Sequence, residues 1–284
     1  MLNWLRLAAA AAFAVPVLTL GRAARAGLGQ PSPWEVGLQQ AASPVMDSLV
    51  GFHNFLLVII TLITVFVLTL LVVVMIKFNA RANPSPNRTT HNTVLEVLWT
   101  VVPVVILVVI AVPSFRLLFF QQTIPPADLT VKATGKQWYW TYAYPDSKFE
   151  FDSLMLQDKD RQKMQPPPPR LLAADNAMVV PVNKVVRVQV IGADVIHSFA
   201  VPSFGIKIDA VPGRLNETWF RATREGTYYG QCSELCGRDH AFMPIDVRVV
   251  SEPAFAAWLE EAKKKFASDQ PSGSATLAAA EPAR

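Results

Sequence analysis

FLLVIITLITVFVLTLLVVVMI, residues 55–76, carries no charged side chain at any of its positions. A helix gains about 1.5 Å per residue, so this run is long enough to cross the roughly 30 Å hydrocarbon layer of a bilayer. A second uncharged stretch, VLWTVVPVVILVVIAVPSF (97–115), is bounded by Glu96 and Arg116. Pro103 inside it bends such a helix without forbidding it. Two membrane spans are predicted, over about 52–76 and 96–118.

The link between them, KFNARANPSPNRTTHNT, holds Lys77, Arg81 and Arg88 and no acid, which places it on the cytoplasmic side. Both outer ends then face the export compartment. The N-terminus agrees: Arg6, an apolar run from Leu7 to Leu20, and the A-x-A arrangement of Ala24 and Ala26 read as a cleavable export signal, residues 1–26. Pro16 breaks that run, and it is too short for a third span. The net charge of +4 is scattered rather than gathered in one tract, so no nucleic-acid partner is indicated.

After Gln121 the pattern changes to short alternating or β-branched runs, DLTVKA, NAMVVPV, KVVRVQVI, ETWFRA and PIDVRVV, separated by Pro, Gly, Asn and Asp. An all-β sandwich or barrel over 123–252 is predicted, following the N-terminal segment and hairpin of 27–122. MQPPPPR (164–170) is stiffened towards polyproline and reads as an exposed connection without a function of its own. EPAFAAWLEEAKKKF opens a C-terminal region, 253–284. It reads as an amphipathic helix with Phe255, Trp258, Leu259 and Ala262 on the face that packs on a partner surface, followed by a disordered tail.

QCSELCGRDHAFMP (231–244) gathers both cysteines of the chain with His240 and Met243. The only other histidine of the exported region is His197, in ADVIHSFAVPSFG. Three readings compete. A disulfide is ordinary in an oxidising compartment, but it leaves the two histidines and the methionine as coincidences. Zinc takes two Cys and two His in a tetrahedron and has no use for Met243. Thiolate, imidazole and thioether together suit copper electron transfer, where a weak Met tunes the potential. A mononuclear site of that type uses one cysteine. Two bridging thiolates can hold two coppers.

These motifs, with GKQWYWTYAYPD (135–146) and DVIHSFAVPSFGIKIDAVPGRLN (194–216), resemble subunit II of bacterial cytochrome c oxidase, over roughly residues 45–262. The resemblance implies a two-helix hairpin followed by a cupredoxin-like barrel carrying a dinuclear CuA centre. It implies Cys232 and Cys236 as bridging thiolates, His197 and Met243 on one copper, and His240 with the backbone carbonyl of Glu234 on the other. The Glu234 side chain is implied at a buried Mg site shared with subunit I. Electrons are implied to enter from cytochrome c at Trp138, with Asp146, Asp175 and Asp194 in its docking surface; Ala143 stands where many relatives carry a glutamate. Trp138, Trp140 and Tyr142 alternate as if on one strand face. Glu96 matches a glutamate at the mouth of a proton pathway. Haem and oxygen chemistry then belong to subunit I and the other oxidase subunits, and the chain sits in the bacterial inner membrane with its C-terminal domain in the periplasm. A membrane-anchored copper-delivery factor is the rival of another class, and it has no use for Trp138 or Glu96.

Overall fold

A computed structural model of the chain describes residues 28–266. The export signal and the C-terminal tail lie outside the described residues. Two compact units are present, one containing the two long helices and Pro202–Ile206, the other containing Pro126–Val201 and the residues after Ile206.

Helix α1 is Pro44–Lys77 and helix α2 is Thr93–Gln122. Helix α1 begins eight residues before the predicted span because Ser43 caps it: its side chain accepts the Met46 N–H and Pro44 occupies the first turn. At its C-terminal end the Phe78 N–H bonds back to Val74 O. Asn92 caps α2 by accepting from the Val94 and Leu95 N–H groups, and Pro103 and Pro113 both lie inside that helix. Both helices pass the length and hydropathy test for a membrane span, and no residue of α2 is buried. In the same unit the Ala42 N–H donates to Ser203 O, Ser43 Oγ donates to Phe204 O, and Ser203 Oγ donates to Gln39 Oε1. These bonds join the head of α1 to the Pro202–Ile206 turn.

The second unit is a sandwich of two five-stranded sheets. One has the order β3-β2-β1-β5-β8, built from β1 Leu129–Lys136, β2 Tyr139–Tyr144, β3 Phe149–Ser153, β5 Val186–Gly192 and β8 Asn216–Phe220. The other runs β4-β10-β9-β6-β7, from β4 Met178–Pro181, β6 His197–Val201, β7 Ile206–Ala210, β9 Gly226–Cys232 and β10 Pro244–Val250. Pairs β1/β5 and β4/β10 are parallel, and β1/β2, β2/β3, β5/β8, β6/β9 and β9/β10 are antiparallel. Alternation explains the core: Val186, Val188 and Val190 of β5 point inward, as do Ile245, Val247 and Val249 of β10. Each predicted run contains a strand of this sandwich.

The connection 154–177 carries a short helix, α3 Asp158–Arg161, whose Arg161 donates to Pro168 O, and in its proline tract Pro166 and Pro167 are exposed while Pro168 and Pro169 are half-buried. Helix α4, Glu252–Phe266, corrects one expectation. Its aromatic face packs on its own domain rather than on a partner. Trp258 lies 5.3 Å from Tyr144, and Phe266 stacks on Phe151 at 4.6 Å between ring centroids. The reason lies in β3, where Phe149 and Phe151 alternate with exposed Glu150 and Asp152 and offer an aromatic surface that the helix covers.

Candidate metal centre

Three segments of the β unit build the site. Cys232 is the last residue of β9, and Pro244 opens β10, which pairs antiparallel with β9. The intervening loop therefore leaves and re-enters adjacent strands, which folds Cys236, His240 and Met243 back over Cys232. The Cys232 N–H closes the base of the loop on Met243 O at 3.3 Å. His197 begins β6, the neighbour of β9, and the Ser233 N–H donates to Ser198 O at 3.0 Å, fixing the two segments side by side. The third segment is the β1–β2 turn at Gln137 and Trp138.

The five donors predicted from sequence come together. Cys232 Sγ lies 3.9 Å from Cys236 Sγ and 3.9 Å from His197 Nδ1. Cys236 Sγ lies 3.5 Å from His240 Nδ1 and 3.5 Å from Met243 Sδ. Both cysteines are free, and their separation is far beyond the about 2.05 Å of a disulfide. Cys232, Cys236, Met243 and His197 are all buried. Glu234 contributes through its backbone: its carbonyl oxygen lies 3.3 Å from Cys232 Sγ. Its carboxylate is exposed, so the expectation of a buried acid is not met within this chain, because the loop turns that side chain outward.

Charge within the cluster is unbalanced. Burial alone raises the Cys232 pKa, but hydrogen bonds with His197, the Glu234 backbone and Ser198 overcome it and bring the thiol down to about 7. Burial and the charge of Cys232 push Cys236 up to about 12. Holding both sulfurs as thiolates at neutral pH would take a shared cation, and the adjacent Arg238 is occupied by Asp239 at 2.9 Å.

Asp194 is exposed and also reaches the cluster. Its Oδ1 lies 2.8 Å from His197 Nε2, while its two oxygens also accept the Val195 and Gln137 N–H groups at 2.7 Å each. Partial burial works against ionisation, but these bonds hold its pKa below the usual value. A carboxylate that takes the Nε2 proton leaves the Nδ1 lone pair facing the sulfurs, the orientation a metal-bound imidazole requires. Asp175 is likewise committed to its own loop, accepting the Leu154 and Asn176 N–H groups. Asp146 lies exposed in the turn after β2.

Trp138 also departs from expectation. It lies in the turn before β2, so it does not share the face on which Trp140 and Tyr142 are buried. Its Nε1–H instead donates to Cys236 O at 3.2 Å, and Gln137 Nε2 donates to the same oxygen at 2.9 Å. Glu96 is half-buried in the first turn of α2, where Oε1 accepts the Asn92 N–H at 3.3 Å and supports the cap.

Two residues escaped the sequence reading. Gln137 holds the ligand loop, and its adjacency to Trp138 was the available signal. Gly135 is needed for space: a Cβ there would stand 2.9 Å from the His197 ring. No sequence signal reveals that contact, because it depends on β1 and β6 meeting across the sandwich.

Residues 129–250 match the family model for the periplasmic domain of cytochrome C oxidase subunit II, and residues 31–117 match the model for its transmembrane domain. The chain is 54% identical over 242 residues to the probable cytochrome c oxidase subunit 2 of Rickettsia bellii, covering 85% of this chain and 89% of that protein. It is 52% identical over 251 residues to cytochrome c oxidase subunit 2 of Cereibacter sphaeroides, covering 83% of each. The crystal structure of the periplasmic domain of subunit II of cytochrome oxidase from Bradyrhizobium japonicum is 70% identical, covering 51% of this chain and 99% of that chain, with a TM-score of 0.47.

Proposed function

The chain belongs to the cytochrome c oxidase subunit II family, and on that footing we propose that it is the electron-input subunit of a respiratory oxidase, taking electrons from cytochrome c at a dinuclear CuA centre and passing them to haem in subunit I. Oxygen reduction, and the proton translocation coupled to it, then belong to the assembly. The observation that carries this reading is the convergence of two unbonded thiols, two imidazoles and a thioether in one loop cluster.

His197, Cys232, Cys236, His240 and Met243 would hold the two ions, with the Glu234 carbonyl as a further donor. With both coppers bound, the centre shares one electron over two metals and two sulfurs, so reduction changes bond lengths little. A single ion fits the donors less well. Bonds of about 2.0–2.3 Å keep all donors of one tetrahedral ion within about 4.6 Å of one another. Yet the set whose nitrogen and sulfur atoms lie mutually within 4.8 Å is His197, Cys232 and Cys236, leaving His240 outside it. Two ions sharing the sulfurs would accommodate His240 more readily than one.

Around the metals, the chain's own residues set position and access. Asp194 orients His197, and Gln137 and Trp138 hold the carbonyl of Cys236. Through that bond Trp138 offers a short route from the docking surface to a bridging sulfur. Asp146, Asp175 and Asp194 are all exposed and would steer a basic cytochrome, and association should slow as salt rises. Glu234 would meet Mg and subunit I through its outward side chain, and Glu96 would serve proton uptake at the opposite end of the hairpin. The basic link between the helices then faces the cytoplasm, and the β unit the periplasm of a bacterial inner membrane.

Metal analysis and electron paramagnetic resonance of the purified oxidase test the reading. Two coppers per chain outside the oxygen site, with a hyperfine pattern richer than that of one copper, are expected. Zinc in this loop, or a Cys232–Cys236 disulfide with no metal, would sink it.

A further inference from the structure

We propose that the outer end of the helical hairpin carries a binding site for a membrane phospholipid, with Arg116 on the phosphate and the head of the acyl chain against phenyl rings. A cavity of about 500 Å³ lies between the two helices, lined by Ser48, Gly51, Phe52 and Phe55 of α1 and by Pro113, Arg116, Leu117 and Phe120 of α2. It belongs entirely to the helical unit and stands apart from the metal-centre reading.

Its depth decides the ligand. The uncharged stretch of α1 begins at Phe55, and that of α2 ends at Phe115. Ser48 and Gly51 therefore lie one to two turns outside the hydrocarbon boundary, and Arg116 lies immediately beyond it. Phe55 and Pro113 lie at or just inside it. Ser48, Phe52, Arg116 and Phe120 line the part beyond that boundary and Phe55 and Pro113 the part at or inside it, so a hydroxyl and a guanidinium stand beside phenyl rings at headgroup depth, which matches the phosphate and upper acyl chain of a phospholipid. A soluble anion has no use for the rings, and an acyl chain alone has no use for the guanidinium.

Arg116 is available for this role. It is exposed and makes no ion pair among the described residues. Its planar donor fork suits a phosphate better than an ammonium would. Asp47, the acid next to Ser48, is exposed but does not line the cleft. Ser48 Oγ donates to Pro44 O at 3.0 Å, which leaves its acceptor lone pairs for a headgroup hydroxyl or ammonium. The cleft is open at Gly51, where a Cβ would find no atom within 4 Å.

The test uses the whole oxidase, purified in mild detergent, with bound phospholipid counted by mass spectrometry of the intact complex. Arg116→Gln removes the phosphate partner, and Gly51→Leu extends a side chain into the cleft from a position where the added Cβ itself meets no atom within 4 Å. Each variant should carry one phospholipid fewer than the unmodified complex, and excess inorganic phosphate should leave the lipid in place. In a third complex, Phe52 is replaced by a photoreactive benzoylphenylalanine, which should crosslink to phospholipid. Equal lipid counts in all complexes, displacement by phosphate alone, or a crosslink to another oxidase subunit would each overturn the assignment, the last by showing that protein covers the cleft.

Discussion

The two long helices and the β sandwich use the same kinds of side chain to opposite ends. Leu107 in α2 is 65% exposed, whereas Phe199 in β6 is wholly buried. In the hairpin, backbone groups inside the span are satisfied within their own helix apart from the carbonyls opposite Pro103 and Pro113, so each helix needs little beyond an apolar solvent and its caps. In the sandwich, each strand depends on partners far away in sequence, and the burial of Val188, Phe199, Ile245 and their neighbours supplies the stability. Hydrophobicity places the first unit; complementarity of shape and hydrogen bonding specifies the second. The metal centre belongs wholly to the specified unit.

The sharpest attack on that contrast is Cys232→Ser in the intact oxidase. Removing one bridging sulfur should abolish both coppers of the cluster, as read by metal analysis, and retention of a spectroscopically normal pair would refute the bridging assignment. Next in size is a pair of truncations. Phe199→Ala should destabilise the β unit by about 3–5 kcal/mol, while Leu107→Ala should change stability by under about 0.5 kcal/mol. Thermal unfolding of the two complexes measures both, and equal losses would erase the distinction between the units.

Asp246 probes the sandwich through pH. Burial raises its pKa from 3.8 to about 6, only partly offset by the Ala174 N–H, and its Oδ1 has no hydrogen-bond partner. The folded state therefore holds this proton more tightly than the unfolded chain does. Its contribution is harmless below about pH 4, and stability is lost as pH rises through about 6, by up to about 3 kcal/mol. Asp246→Asn should flatten that slope and stabilise the protein at neutral pH. Parallel stability–pH curves for the two proteins would count against it.

Smaller effects are expected at the rim of the metal centre. Trp138→Ala should slow reduction by cytochrome c several-fold while the copper spectrum persists, and unaltered transient kinetics would remove Trp138 from the route. Met243→Leu should keep both ions but make them inequivalent, because only the weak ligand is lost. An unchanged resonance spectrum would take Met243 out of the ligand set.

Much of this molecule could be read residue by residue. The runs at 55–76 and 97–115 announced spans, and the cysteine, histidine and methionine spacing of 232–243 announced a metal loop, because both signals are local. The register of β1 against β2 was not local, so Trp138 was placed on a strand face when it occupies the turn. Asp194 read only as a surface acid although His197 stands three residues on, because spacing alone does not tell whether the turn into β6 aims the carboxylate at the ring. The aromatic face of α4 advertised burial without naming its partner, and Phe149 and Phe151 of the same domain supplied it.

What the sequence alone determined is therefore what short-range chemistry encodes: helix length and polarity, strand alternation and the inventory of soft donors. Only the tertiary structure decided that Gly135 clears space for His197, that Gln137 and Trp138 share the Cys236 carbonyl, and that Asp194 aims the imidazole. The first two contacts join residues about sixty to a hundred positions apart, which only the packing of two sheets brings together, whereas Asp194 and His197 are three positions apart and meet because of how the chain turns into β6.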